Sequence, residues 1–300
     1  MTAETSVLFD APGPKARTRH RIIAVVGSLA ILALLYLLIR ALAAKGQFTA
    51  EKWATFLDPV TWTSYLLPGL QATLVAAFFS IILAIIGGIL LGMGRLSQLR
   101  PVRMACGAFV EFFRAVPVLM MMLFAYYVFL FGFQISGDNL SLYGVVAGLT
   151  FYNASVIAEL IRSGVGSLPQ GQREAGLAIG LTPFSTLWQI LLPQAITLML
   201  PSIISQLVVI LKDSALGFLI LYEELIRSGQ TLASSKGNLI PTFLVIAVIF
   251  IVVNYTLTLA ARRLERRLQR SKRGAKPPPE DLMLNPGMIP AAAEATAPSR

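Results

Sequence analysis

Residues 66–94 read LLPGLQATLVAAFFSIILAIIGGILLGMG, a stretch without one Asp, Glu, Lys or Arg. A hydrocarbon core about 30 Å thick is crossed by about 20 apolar residues in a helix, so this run is long enough to span a bilayer. Lipid offers no water to backbone N–H and C=O groups, which leaves helices and closed barrels as spanning structures. The ten-residue alternation of a membrane barrel is missing from the sequence, so the run reads as a helix. Five further runs are also long and predominantly apolar, with few charges: 22–44, 104–132, 143–165, 190–211 and 239–262. The expected fold class is an all-α membrane protein with six transmembrane helices. Composition agrees: 56% of the 300 residues are hydrophobic and 13% charged, against about 25% charged in a soluble domain.

The run 22–44 follows a basic stretch, Lys15, Arg17, Arg19, His20 and Arg21. It is longer than the roughly 7–15 apolar residues of a secretory signal, and it reads as a retained helix. Alternating the six spans puts 17 Lys/Arg on one side of the membrane and six on the other. The excess of positive charge marks the cytoplasmic side, so both termini are expected in the cytoplasm. The net charge of +10 therefore belongs to the membrane, not to a nucleic acid. The basic run RRLERRLQRSKR at 262–273 reads as an anchor at anionic headgroups.

Scarcity narrows the chemistry. Cys106 is the one cysteine and His20 the one histidine. An intrachain disulfide, a CxxC redox pair, a thiolate or His-rich metal site and a His-based triad are thereby excluded. No metal ligand set, cofactor site or catalytic constellation is expected.

The chain divides into a polar arm (1–21) expected to be disordered, an extra N-terminal helix (22–44), a membrane domain (66–262), and a basic then Pro/Ala-rich tail (263–300) also expected to be disordered. Trp53 and Trp62 suit the interfacial belt. Pro68 is expected in the first turn of the second span, where its missing N–H costs little. Gly87, Gly88, Gly92 and Gly94 allow close helix approach, and Pro117 is expected to kink the third span. Glu223 and Glu224 read as solvated charges outside the membrane.

Residues 165–189, VGSLPQGQREAGLAIGLTPFSTLWQ, separate two spans yet are patterned beyond what a connector needs. A short helix from about Gln172 to Ile179, stopped by Gly180, would turn an apolar set of Leu177, Ile179, Leu181, Phe184 and Leu187 toward the cytosol. Such a patch awaits a protein partner. Glu174-Ala175-Gly176, three residues, Gly180, nine residues, then Ile190-Leu191-Leu192-Pro193 matches EAA-x3-G-x9-I-x-LP. This resembles the signature loop of ABC importer permeases. Gly176 stands where alanine is usual, a change that loosens a helix by up to about 1 kcal/mol. The stretches EFFRAVPVLMMMLFAYY (111–127), YNASVIAELIRSGVGSLPQGQREAG (152–176) and LVVILKDSAL (207–216) are similar to segments of polar amino acid permeases, most of all those of actinobacterial glutamate importers. The resemblance covers roughly 66–262.

The resemblance implies a five-helix permease core plus one extra helix, set in a bacterial plasma (inner) membrane. It implies that Gln172, Glu174, Ala175, Gly176, Gly180, Ile190, Leu192 and Pro193 form the coupling element. Its partners would be two copies of an ABC ATPase, a second permease subunit (homologous or identical), an extracytoplasmic amino acid-binding protein, and the lipid bilayer. The chain has no G-x-x-x-x-G-K-[ST] phosphate loop, so ATP and Mg²⁺ belong on the partner ATPase and the permease is not itself an enzyme. Glutamate or aspartate is the favoured cargo, with glutamine, histidine or arginine as alternatives. A stand-alone secondary transporter would show inverted repeats and broken helices, and it would leave the loop unexplained.

Charges within spans cost on the order of 2.5–3.5 kcal/mol each, which makes Glu111, Arg114, Glu159, Lys212 and Asp213 candidates; the pathway set is Glu159, Arg114, Lys212 and Asp213, with Asn153 as a polar neighbour. Glu159, in mid-span, either contacts an ammonium group of the cargo or pairs with Arg114. Arg114 either meets a carboxylate of the cargo or pairs with Glu111 at i−3. Lys212 and Asp213, adjacent in sequence, face different ways. Arg162 belongs near the inner interface. Met120, Met121 and Met122 read as soft packing, and Asn153 and Ser155 as interhelical hydrogen-bonders.

Overall fold

The computed structural model describes residues 13–272, and they hold helices and no strand. In chain order these are α1 (Pro14–Ala44), α2 (Ala50–Ala54), α3 (Pro59–Thr61), α4 (Leu67–Arg95), α5 (Arg100–Ala115) and α6 (Val118–Tyr127). There follow α7 (Leu140–Gly166), α8 (Gln170–Ala178), α9 (Pro183–Thr186), α10 (Leu192–Asp213), α11 (Leu225–Lys236) and α12 (Leu239–Lys272). Five helical stretches are long and apolar enough to cross a membrane, and six if the bent pair α5–α6 counts as one span. The expected all-α membrane fold is thus present.

Three boundaries differ from expectation. Helix α1 starts at Pro14 and α12 runs to Lys272, so residues 14–21 and 263–272 are helical, not part of a disordered arm and tail. A helix already hydrogen-bonded through a span extends into its polar flank at small cost, since nucleation has been met. The expected disorder of residues 1–12 and 273–300 lies outside the described residues. Third, Pro68 is not in a first turn. The second span is continuous from Pro59 to Arg95, and Asp58 caps its start by accepting from Val60 N–H at 3.0 Å. A π turn over Trp62–Leu66 precedes Pro68, with Leu67 N–H bonded to Trp62 C=O. That wider turn removes the clash of a proline ring with the carbonyl four residues back. The same device recurs at Leu187–Leu191, before Pro193.

Pro117 does more than kink. α5 and α6 meet at 105°. Proline forces the preceding residue out of the helical region, and Val116 is extended at φ −84°, ψ 131°. Pro117 itself is at ψ 134°, so two successive extended residues turn the chain.

The described residues form two compact units. One contains residues 13–74 and 221–250. Its core is Leu66, Leu225, Leu232 and Ile246, each at most 2% exposed. Gly69 makes that packing possible, because a Cβ there would lie 2.9 Å from the Leu225 Cα. Thr73 Oγ1 accepts from Leu225 N–H at 3.1 Å, and the Tyr222 hydroxyl donates to Ala72 C=O at 2.8 Å. Helix α1 keeps its apolar side chains exposed, Leu34 at 70% among them, as suits a helix whose solvent is lipid.

Glu224 departs from the solvated reading. It is fully buried and caps α11, accepting from Ile226 N–H at 2.9 Å and Arg227 N–H at 2.8 Å. Glu223 stays exposed and pairs with Arg227 at 3.7 Å. Burial pushes the Glu224 carboxyl up to about 7, against the pull of the two N–H groups. An acid whose folded value lies above its ordinary 4.5 withdraws stability as pH rises from about 4.5 through about 7. The loss comes to ~3 kcal/mol at 1.36 kcal/mol per unit. Thermal midpoints of the purified protein between pH 5 and 8 are therefore expected to fall with pH, and Glu224→Gln should flatten that slope. An unchanged slope in the variant would assign the pH dependence to another group.

The second unit contains residues 75–220 and 251–272. Helix α7 runs through its centre, with Val145, Leu149, Ile157 and Ile161 at most 1% exposed, a four-residue rhythm that marks one helical face. Gly88 of α4 lies against Ile157, and Gly148 of α7 against the Met122 backbone, so these glycines serve close packing. Met121 and Met122 are buried, whereas Met120 is exposed. Ser155 donates to Phe151 C=O of its own helix at 2.9 Å and not across helices.

Candidate functional site

The patterned segment folds as a short helix closed by glycine. α8 spans Gln170–Ala178. Gly180 has φ +85°, a left-handed conformation open to glycine at little cost. Its N–H bonds to Leu177 C=O at 3.0 Å, and Leu181 N–H bonds to Gly176 C=O at 3.1 Å. These two bonds together form a Schellman closure. Thr182 then caps α9 by accepting from Ser185 N–H at 3.2 Å.

Gly176 does not loosen this helix. It is the one buried residue of α8, and a Cβ there would come within 2.7 Å of Thr186 Cγ2 and 3.0 Å of Ile190 Cδ1. Glycine at this place seats α8 on the turn that carries Ile190. Gln172 Oε1 accepts from Gln194 Nε2 at 3.2 Å, a second link between α8 and the start of α10. Leu192 is buried, and Pro193 opens α10 within its first turn. Glu174 and Ala175 face outward. The outward apolar set is Ile179 at 76%, Phe184 at 63%, Trp188 at 50% and Leu177 at 40% exposed. Leu187 belongs inside instead, at 8% exposure. The loop thus presents one acid and an apolar row on a firmly seated support.

A second feature lies near the end of α7 that leads into α8. Glu159 receives Arg162 Nη2 at 2.6 Å and Arg95 Nη1 at 2.7 Å, with Arg114 Nη1 at 3.7 Å. Arg95 also reaches Glu111 at 3.3 Å. The side chains of Arg95 and Glu159 are 13% and 22% exposed. One carboxylate therefore ties the end of α4, helix α5 and helix α7 together. Glu159 is not in mid-span, because it falls in the last third of Leu140–Gly166. Glu111 and Arg114 do not pair with each other despite their i, i+3 spacing. Each finds a closer geometric partner on another helix.

The other predicted pathway residues lie elsewhere. Asn153 is fully buried. It accepts from Gln206 Nε2 at 2.6 Å and donates to Leu149 C=O at 2.7 Å, so it joins α7 to α10. With Gly164 of α7 against Ala195 and Met199 of α10, these contacts set the two helices antiparallel. Lys212 and Asp213 close α10, about 20 Å along the axis from the level of Glu159 at 1.5 Å per residue. Lys212 is exposed and Asp213 half-buried. The five residues thus form two separate places joined by a polar contact between them, not one pocket.

Sequence reasoning missed Arg95 and Gln206. Arg95 is the first charge after the run 66–94, where a long side chain folds back toward a buried acid; that was the usable signal. Gln206 had none, since a lone glutamine in an apolar helix says nothing of its partner.

Comparison with known proteins gives the family and the fold. The family described as "Binding-protein-dependent transport system inner membrane component" matches residues 84–270. The glutamate transport system permease protein GluD of Corynebacterium glutamicum is 49% identical over 231 residues, 77% of this chain and 85% of that one. The probable glutamine ABC transporter permease protein GlnP of Bacillus subtilis is 36% identical over 208 residues, 68% of this chain and 94% of that one. A crystal structure of an amino acid ABC transporter with histidines superimposes with a TM-score of 0.63 at 26% identity, covering 71% of this chain and 98% of that chain.

Proposed function

The chain belongs to the binding-protein-dependent transport system inner membrane component family, and on that premise we propose that it is the permease subunit of an ATP-driven importer whose cargo is glutamate or aspartate. The cargo rests on likeness to GluD. The observation that carries the coupling role is the glycine-closed helix α8 with its outward row of Leu177, Ile179 and Phe184, a patch suited to a cleft on another protein.

In this reading both termini and the 165–189 loop are cytoplasmic. Two copies of an ABC ATPase hold ATP and Mg²⁺, and one receives α8. A second permease, identical or homologous, completes the pathway, and an extracytoplasmic binding protein delivers the amino acid. Gln172, Glu174, Ala175, Gly176, Gly180, Ile190, Leu192 and Pro193 form and seat the coupling element. Glu159 and Arg114 form a charged station near the cytoplasmic end of the pathway. Lys212 and Asp213 form one near the outer end, with Asn153 between. The Glu159 cluster ties the root of α8 to α4 and α5, so a pull on α8 reaches three helices through one carboxylate.

Cells lacking this chain are expected to lose uptake of radiolabelled glutamate and regain it on complementation, with aspartate the strongest competitor among the amino acids. Unchanged glutamate uptake with a loss of glutamine or arginine uptake would reassign the cargo and leave the permease role standing.

A further inference from the structure

A cavity of about 280 Å³ opens at the root of α8. Arg162, Arg173, Gln98 and Gln170 supply its polar wall, Leu187 and Leu191 part of its apolar wall, and no Asp or Glu lines it. We propose that this cavity holds the phosphate of an anionic phospholipid headgroup.

Depth is the first argument. Much of the lining comes from the ends of three membrane-spanning stretches: Leu96 and Gln98 just after Pro59–Arg95, Arg162 to Gly166 at the end of Leu140–Gly166, and Pro183 at the start of Pro183–Ile220, with Gln170 and Arg173 of α8 beside them. Where spans end, headgroups begin. Charge is the second. Arg162 turns Nε and Nη2 to Glu159, which leaves Nη1 for the cavity. The Arg173 guanidinium has no ion pair among the described residues. A cation without a counter-ion beside an apolar wall at headgroup level fits a ligand that is anionic at one end and apolar at the other. Basic pockets between membrane helices bind acidic headgroups in this way. A free phosphate would use the guanidiniums and leave the leucine wall unused.

The proposal does not depend on the cargo or on the ATPase, because binding by the purified full chain reads it directly. Native mass spectrometry of detergent-solubilised protein with phosphatidylglycerol or phosphatidylcholine is expected to show at least about tenfold preference for the former. Arg173→Gln should lower phosphatidylglycerol retention by about tenfold. Gly166→Leu should do the same with every charge in place, since a side chain at Gly166 enters open space within the lining. Inorganic phosphate should not displace the lipid. Wild-type retention in both variants would overturn the proposal. Displacement by inorganic phosphate would overturn it too, in favour of a soluble-anion pocket. If Gly166→Leu fails to fold, Arg173→Gln decides alone.

Discussion

Glu159→Gln is expected to lower the thermal midpoint of the purified protein by roughly 4–12 °C and to abolish uptake. The variant keeps the side-chain volume and removes the charge that Arg95, Arg114 and Arg162 share. Breaking a buried ion pair at one partner costs about 3–5 kcal/mol, because the other charge stays desolvated. Arg114 and Arg162 are 43% and 44% exposed, so water screens part of their loss. Arg95, at 13% exposure, carries most of it. A net cost of about 2–3 kcal/mol is reasonable, and at about 2–4 °C per kcal/mol for a chain of this size it gives the stated shift. Glu111→Gln is the control: its carboxylate is 72% exposed and 3.3 Å from Arg95, and exposed pairs contribute about 0–1 kcal/mol. Equal shifts in the two variants would show that Glu159 is not the hub.

The second large effect concerns one methyl group. Gly176→Ala restores the residue usual at that place in the resembling family and raises helix propensity by up to about 1 kcal/mol. Function is nevertheless expected to fall by about tenfold, the equivalent of 1.4 kcal/mol. The new Cβ would lie 2.7 Å from Thr186 Cγ2. Thr186 is 1% exposed and stiff at χ1, being β-branched, so it cannot swing aside as a long side chain could. Helix α8 must lift from the turn that holds Ile190, and the outward row moves with it. The double variant Gly176→Ala with Thr186→Ala should recover uptake, since the Thr186 hydroxyl is buried without a hydrogen-bond partner and its loss costs little. Strong positive coupling between the two sites is the expected result of the cycle. Independent, additive losses would mean that the contact does not seat α8.

Which features the sequence disclosed follows from which physical rules act locally. The spans were legible because lipid permits one backbone solution for a long apolar run. α8 was legible to within two residues at its start, because a glycine at the C-terminus and the spacing of Leu177 and Ile179 are local signals. The 105° turn at Pro117 exceeded the expected kink, since a proline fixes that the helix breaks but not where the chain then goes. The partners of Glu159 were hidden for a related reason. Glu111 and Arg114 satisfy a helical pairing rule, and the rule lost to Arg95, sixty-four residues before Glu159 in the chain. The burial of Glu224 likewise goes with tertiary packing, since its neighbour Leu225 sits in a cluster with Leu66 and Ile246, which no window of sequence contains.

Cross-linking from the outer edge of α8 tests the coupling role most directly. Ile179→Cys in a Cys106→Ser background gives one thiol on the most exposed residue of the apolar row. Carrying a photoactivatable maleimide, that thiol should be labelled from the cytoplasmic face and form an adduct with an ATP-binding subunit, lost when Glu174→Arg is added. Labelling from the outer face alone, or an adduct with no other subunit, would contradict it.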